Sequence, residues 1–465
     1  MSKIPTKRSS FYSKRLIIAG QMKKYYAIAL LSLILWISAC TPESGRNEAS
    51  TSWHENATIY EVNVRQYTQE GTFDAFAEHV PKLADMGVEI LWFMPIHPIG
   101  ELNRKGSLGS YYSVKDYTDV NSEFGTKEDF KELVDVIHAN DMKVILDWVP
   151  NHTAWDHPWT ESSPEYYTLT DDGEFMPPVP DWSDVIDLNF DNADMREEMI
   201  QAMEYWVSEF DVDGYRVDVA HSVPTDFHEE VRERLDQIKP VFMLAEAEVV
   251  EHHNSAFDMS YAWNFNSVIY HVGQGDSAVS SIHRAMEKEM ATFPRDAYRM
   301  FFTTNHDENS WKGSDIELYG DNVEVFSVLA STIYGMPLVY SGQESLYEER
   351  LEFFERDPID WKDYPLQDFF TMLLTLNQEN TALWNGEVGG PYEYINHDDE
   401  SGFYAYRRAN EQDEVVVFLN FGDEDLSNLS HTFDGTFVNI ATQEIVEGES
   451  TMSLPAHGWA IYTRS

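Results

Sequence analysis

"GYRVDVAH", residues 214–221, decides how this chain folds. Its apolar and aromatic residues read as a buried strand, yet Arg216 and Asp218 stand two residues apart and so share one face. A strand packed on both sides has no use for a guanidinium and a carboxylate facing its core. A strand of a closed parallel barrel does, because its inward face rises toward an open end where substrate enters. On that reading Gly214, Arg216 and Asp218 point inward, with the glycine leaving room low down. Tyr215, Val217 and Val219 would pack against outer helices.

The flanking sequence repeats the pattern. Short β-rich runs at residues 59–64, 88–95, 143–149, 214–219, 241–247, 298–305 and 337–342, with a weaker one at 256–263, make eight candidate strands. Amphipathic stretches such as 73–86, 127–140, 193–210 and 223–238 lie between them, the alternation of a parallel sheet covered by helices. The expected fold class is therefore α/β, a TIM (β/α)8 barrel. Two stretches break the alternation. After "DWVPNH" the chain runs through Trp155, Trp159 and Trp182 before the next clear helix, too far for a bare loop, which predicts a small inserted subdomain after the third strand. Beyond about residue 386, "GFYAYRRA", "EVVVFLNF", "FVNIAT" and "GWAIYTR" follow without helices, predicting a C-terminal antiparallel β-sandwich.

The N-terminus reads differently. Residues 1–39 hold seven of the 32 Lys and Arg and none of the 81 Asp and Glu. "MKKYYAIALLSLILWISAC", residues 22–40, has the basic start, apolar run and small residues of a secretion signal, and its apolar part is short for a membrane span. "ISAC" resembles the lipobox of bacterial lipoproteins, which implies lipidation at Cys40, the sole cysteine of the chain. The expected organisation is a signal region at 1–39, with the signal peptide itself at 22–39, and a polar tether at 40–52. A catalytic barrel follows at 53–385, with its insertion at about 152–190, and then the β-sandwich at 386–465. The expected location is the bacterial cell envelope, anchored by lipid to the outer membrane on its periplasmic or cell-surface side. A net charge of −49 gives no electrostatic support for nucleic acid as a partner, and a monomer is expected.

In a barrel, chemistry gathers at the C-terminal ends of the strands. Those ends carry Asp147, Asn151 and His152 on the third, Arg216, Asp218 and His221 on the fourth, Glu246 on the fifth, and Asn305, His306 and Asp307 on the seventh. A lone carboxylate there is most often a helix cap or a loop ion pair, but several acids converging suit glycoside cleavage, which needs one ionised carboxylate and one protonated carboxyl. Arg216 beside Asp218 favours the ionised form, a nucleophile's environment. Glu246 follows the apolar "VFMLA", where desolvation would keep a proton for the leaving oxygen, and it outranks Glu248 as the acid.

The ordered set "DWVPNH", "GYRVDVAH", "MLAEAE" and "TTNHD", with "GSYYSVKDYTDVNSEFGT" ahead and "GMPLVYSGQE" behind, resembles the α-amylase family, glycoside hydrolase family thirteen, over most of residues 53–465. The resemblance implies a retaining endo-acting α-amylase cleaving α-1,4-glucosidic bonds of starch-like glucans and maltooligosaccharides. Asp218 would be the nucleophile, Glu246 the acid/base and Asp307 the third carboxylate. Arg216 would hold the nucleophile, His152 and His306 would bind sugar hydroxyls, and Tyr112 would stack on the same sugar. At His221 and Ser222 the sequence departs from the Lys-His pair of many calcium-dependent amylases, so a contact of His221 with the leaving-group side is an expectation that the resemblance does not carry over. No cofactor is implied as required. A structural calcium ion stays open, because Asn151 and Asp187 match ligand positions of many members while "DLN" also occurs in members without the ion. The alternatives are a neopullulanase, an α-glucosidase or a glucan transglycosylase of the same family. From another class comes a non-catalytic glycan-binding lipoprotein, against which the intact trio of acids argues.

Overall fold

The computed structural model describes residues 52–362 and 364–465, so Cys40 and the signal segment lie outside the described residues. Eight parallel strands close into a barrel: β1 (Ile59–Val62), β2 (Ile90–Phe93), β3 (Lys143–Trp148), β4 (Gly214–Val217), β5 (Phe242–Ala245), β6 (Met259–Tyr261), β7 (Tyr298–Phe301) and β8 (Met336–Tyr340). Each strand pairs with the next in sequence, and β8 returns to β1 with Ile59 opposite Leu338. These are the eight strands expected from the sequence.

Alternation of side chains builds two cores from the same strands. Ile59, Ile90, Trp92, Ile145, Phe242, Leu244 and Met300 fill the barrel interior, while Tyr60, Leu91, Val144, Leu146, Tyr215, Val217 and Met243 face the helices. On β1 and β3 the interior parity passes from an apolar residue to an acid, Ile59 to Glu61 and Ile145 to Asp147. Just past the end of β5 it does so again, from Leu244 to Glu246. The interior is thus apolar below and charged at its C-terminal mouth.

Gly214 fits this plan for a steric reason. Its φ is 152°, and a Cβ there would stand 1.8 Å from the Phe242 carbonyl oxygen of the neighbouring strand. Helices flank the strands where amphipathicity predicts them. Lys127–Ala139 opens on a capping box between Thr126 and Asp129 and buries Phe130, Leu133, Val134 and Ile137 on one face. The single helix expected over 73–86 is instead two, Phe73–Ala77 and Val80–Asp85, because Pro81 has no N–H to continue the ladder and is accepted only in the first turn of the second piece.

The inserted segment after β3 contains a two-stranded antiparallel sheet, His152–Ala154 with Val185–Asp187, and a short helix at Trp159–Ser162. The C-terminal β domain is a six-stranded antiparallel sheet made of β9 (Tyr392–Asp398), β10 (Phe403–Ala409), β11 (Glu414–Asn420), β12 (Leu426–Asn439), β13 (Ile445–Leu454) and β14 (Trp459–Arg464), in the order β9-β10-β11-β14-β12-β13. Two of these strands, β9 and β13, went unread in the sequence, because β13 is mostly polar and β9 carries few apolar residues. One face of the sheet gathers its own core around Phe403, Phe418, Phe433 and Tyr462, and the other contributes Tyr404, Tyr406, Val417 and Ile461 to the helical layer of the barrel. The Tyr406 hydroxyl meets Thr332 Oγ1 at 2.6 Å, and residues 53–465 form one compact unit.

Candidate active site

The buried guanidinium of Arg216 organises the mouth of the barrel. Its Nη1 donates to Asp147 Oδ1 and to Asp218 Oδ1, each at 2.9 Å, and its Nη2 stands 3.0 Å from Glu246 Oε2. Nε donates to the Tyr261 hydroxyl at 3.1 Å, and the guanidinium carbon lies 5.1 Å from the centre of the Trp92 ring. Arg216 is fully buried, which is tolerable only because carboxylates surround it. Asp218 and Glu246 sit opposite one another at the ends of β4 and β5, for Val217 pairs with Ala245 and the Glu246 N–H donates to the Val217 carbonyl at 3.0 Å.

Two expectations about these acids change. One guanidinium was to hold Asp218 ionised, but here it is divided among three carboxyls. Burial, together with the Glu246 charge, raises Asp218 well above the usual carboxylate range despite Arg216. Glu246 was expected to be partly desolvated by the apolar run before it, yet its Oε2 lies against Arg216 and accepts the Val219 N–H at 2.8 Å. The strand was also read two residues too long. Val219 has φ 37° and ψ 43°, so it leaves the strand and turns its amide toward Glu246 instead of packing on the helices.

A second chain of contacts runs through His306. Its Nδ1 donates to Glu61 Oε1 at 2.5 Å, and its Nε2 lies 2.8 Å from the Tyr112 hydroxyl and 3.4 Å from Asp307 Oδ2. Burial alone would lower its pKa, but the Asp307 and Glu61 carboxylates lift it to about 9, so the ring is an imidazolium at neutral pH. The Tyr112 hydroxyl also donates to Asp147 Oδ2 at 3.0 Å, joining the two networks, and its ring stacks on His306 at 5.4 Å. Asp147, fully buried, is pushed up to about 6 by desolvation in spite of Arg216 and His306. Asn305 shapes the turn that presents His306 and Asp307, its Oδ1 accepting the N–H groups of Asp307 and Glu308 at 3.0 and 2.8 Å.

Other predicted residues lie around this centre. His152 is buried, is lowered to about 4 by desolvation, accepts from Asn151 Nδ2 at 3.2 Å, and has Trp182 at 5.6 Å. His221 is exposed on the turn Ala220–Ser222 and joins no hydrogen bond of the Arg216 cluster among the described residues. Glu248 turns away to Asn264 and Arg299. Within the insertion Tyr166 and Tyr167 are buried in the core shared with the helical layer of the barrel, and Trp159 packs on Tyr117 and His157. Asn151 donates from Nδ2 to His152 Nδ1, and Asp187 pairs in register with His152 across the two-stranded sheet. Calcium takes six to eight oxygens, of which these two side chains would supply only a part.

Glu61, Trp92 and Tyr261 complete the site and were passed over in the sequence. Strand parity could have found the first, since Glu61 is the one charged residue in the fully buried "IYEV".

Five carboxyls, Glu61, Asp147, Asp218, Glu246 and Asp307, thus face two cations, Arg216 and His306. Such a negative excess favours a substrate that becomes positive as it reacts, as a sugar does at an oxocarbenium-like transition state. A barrel with paired acids at neighbouring strand ends and this electrostatic character defines a glycoside hydrolase. The family model described as the α-amylase catalytic domain matches residues 42–182 and 179–387, and the chain belongs to that family. Alpha-amylase MalA of Haloarcula japonica is 29% identical over 418 residues, covering 86% of this chain, which spans 59% of that relative's length. Among solved structures, a noncanonic maltogenic alpha-amylase, AmyB, from Thermotoga neapolitana aligns with TM-score 0.79 and 27% identity over 88% of this chain and 99% of its own. An alpha-amylase from Lactobacillus plantarum gives 0.78 and 29% over 88% and 99%.

Proposed function

We propose that this protein is a secreted, lipid-anchored α-amylase that cleaves internal α-1,4-glucosidic bonds of starch-like glucans and maltooligosaccharides with retention of configuration. The observation that carries the reading is the shared guanidinium: Arg216 reaches both Asp218 and Glu246, which lie in register on adjacent strands. Neighbouring strands run about 4.8 Å apart. That spacing suits the roughly 5–5.5 Å of retaining enzymes better than the wider gap that admits a water in inverting ones.

Retaining cleavage requires Asp218 ionised and Glu246 protonated when substrate is bound. Asp218 attacks the anomeric carbon as Glu246 gives its proton to the departing oxygen, leaving a glycosyl ester on Asp218. Glu246, now a carboxylate, takes a proton from water, which attacks the same carbon and frees Asp218. Asp307 and the His306 imidazolium bind the hydroxyls of the reacting sugar, Tyr112 stacks beneath it, and His152 donates from Nε2. His221, on its exposed turn, faces the leaving-group side.

A product time course on starch, pullulan and maltotriose tests the reading. Early release of mixed maltooligosaccharides from starch is expected, whereas glucose alone, from chain ends, would overturn the endo assignment. The anchor is tested separately: Cys40→Ala should move the protein from the membrane fraction to the soluble one, and continued attachment would sink the lipid reading.

A further inference from the structure

Trp311 is 56% exposed, in the π-helical turn Glu308–Lys312 that directly follows Asp307. An indole presents a large apolar face, and leaving it in water beside the site sacrifices burial that the fold could otherwise have used. It is nevertheless firmly backed. Its ring lies 5.4 Å from Phe353 at 37° and 5.9 Å from Phe354. Phe353 in turn lies nearly parallel to Tyr112, 6.2 Å away at 14°, and Tyr112 stacks on His306. Three rings therefore step outward from the reacting sugar to solvent. The two loops that carry them are tied together: Ser310 Oγ donates to the Leu351 carbonyl at 3.0 Å, the Leu351 N–H to Asn309 Oδ1 at 2.9 Å, and Ser314 Oγ to the Glu348 carbonyl at 2.7 Å. A platform held this way is set before ligand arrives.

We propose that Trp311 and Phe353 form an outer platform for α-glucan residues beyond the one stacked on Tyr112, and that this platform makes the enzyme favour longer chains. The inference rests on the α-glucan hydrolase reading above. Pyranose rings bring apolar C–H faces that fit aromatic rings, and a chain running outward from Tyr112 meets Phe353 and then Trp311.

The test compares maltotriose with maltoheptaose for wild type, Trp311→Ala and Trp311→Phe. Trp311→Ala should raise KM for maltoheptaose about tenfold, with kcat and the maltotriose kcat/KM within about twofold of wild type. Trp311→Phe should recover most of the loss. An equal loss on both substrates, or none on either, overturns the proposal, the former marking Trp311 as a structural residue. Should wild type cleave neither sugar, the hydrolase reading itself fails. Calorimetric binding of maltoheptaose then decides this inference alone: weaker binding by Trp311→Ala supports the platform, and equal binding overturns it.

Discussion

The main-chain N–H of Val219 donates to Oε2 of Glu246 at 2.8 Å, so the second residue beyond β4 holds the carboxyl at the end of β5. The bond exists because Val219 adopts φ 37°, a left-handed conformation that costs a β-branched residue about 1–2 kcal/mol. Strain of this kind persists where its surroundings enforce it, and here it aims a donor at a reacting group. Val219→Gly adopts the same backbone freely and should stay within about 1 kcal/mol of wild-type stability with activity within about threefold. Val219→Pro has no N–H and cannot reach positive φ, so kcat should fall more than about a hundredfold. Thermal melts and kcat on a soluble glucan check both.

Asp218→Asn should lower kcat by more than about a thousandfold while glucan binding survives, because the amide cannot attack the anomeric carbon. Its stability should move the other way. A carboxyl raised by burial resists ionisation in the fold, so above its unfolded pKa its charge opposes folding, and a neutral amide of equal size should hold or raise the melting temperature at pH 7. A melt below wild type would show that the charge, not its burial cost, dominates.

His306 makes stability fall on the alkaline side. Its pKa rises from the ordinary 6.5 to about 9 in the fold. The stabilisation is therefore fully present below 6.5 and lost as pH climbs through about 9. That range corresponds to a change on the order of 3 kcal/mol. Glu61→Gln removes one of the two acids that hold the proton and should shrink this alkaline loss. Denaturant melts of both proteins between pH 6 and 10 measure it, and parallel profiles would remove Glu61 from the account.

Gly214→Ala should destabilise by more than about 3 kcal/mol, since the methyl meets the Phe242 backbone at 1.8 Å and neither strand of a closed barrel can step aside. Soluble yield and chemical denaturation report it.

Much of this was legible in the residues. Eight strands and the inward face of Gly214, Arg216 and Asp218 follow from a period of two, which a half-charged buried strand makes conspicuous. The charge balance was not legible, because Arg216 was assigned to the carboxylate nearest in sequence, whereas the barrel brings Asp147 and Glu246 equally close. Val219 escaped because nothing about a valine announces positive φ. Trp311 and Phe353 lie in connecting segments without periodicity, and only the fold places their rings beside Tyr112.

Closure of the barrel by β8 against β1 also governs how the chain must be assembled. Ile59 finds its partner Leu338 only after nearly the whole barrel has been synthesised, so contacts of very long sequence separation come last. Until Met336–Tyr340 docks, β1 offers an unpaired strand edge of the kind that recruits other chains. Truncation anywhere before that strand would leave an open, sticky sheet instead of a smaller working enzyme, and the ring becomes a single cooperative element only when its final stave is in place.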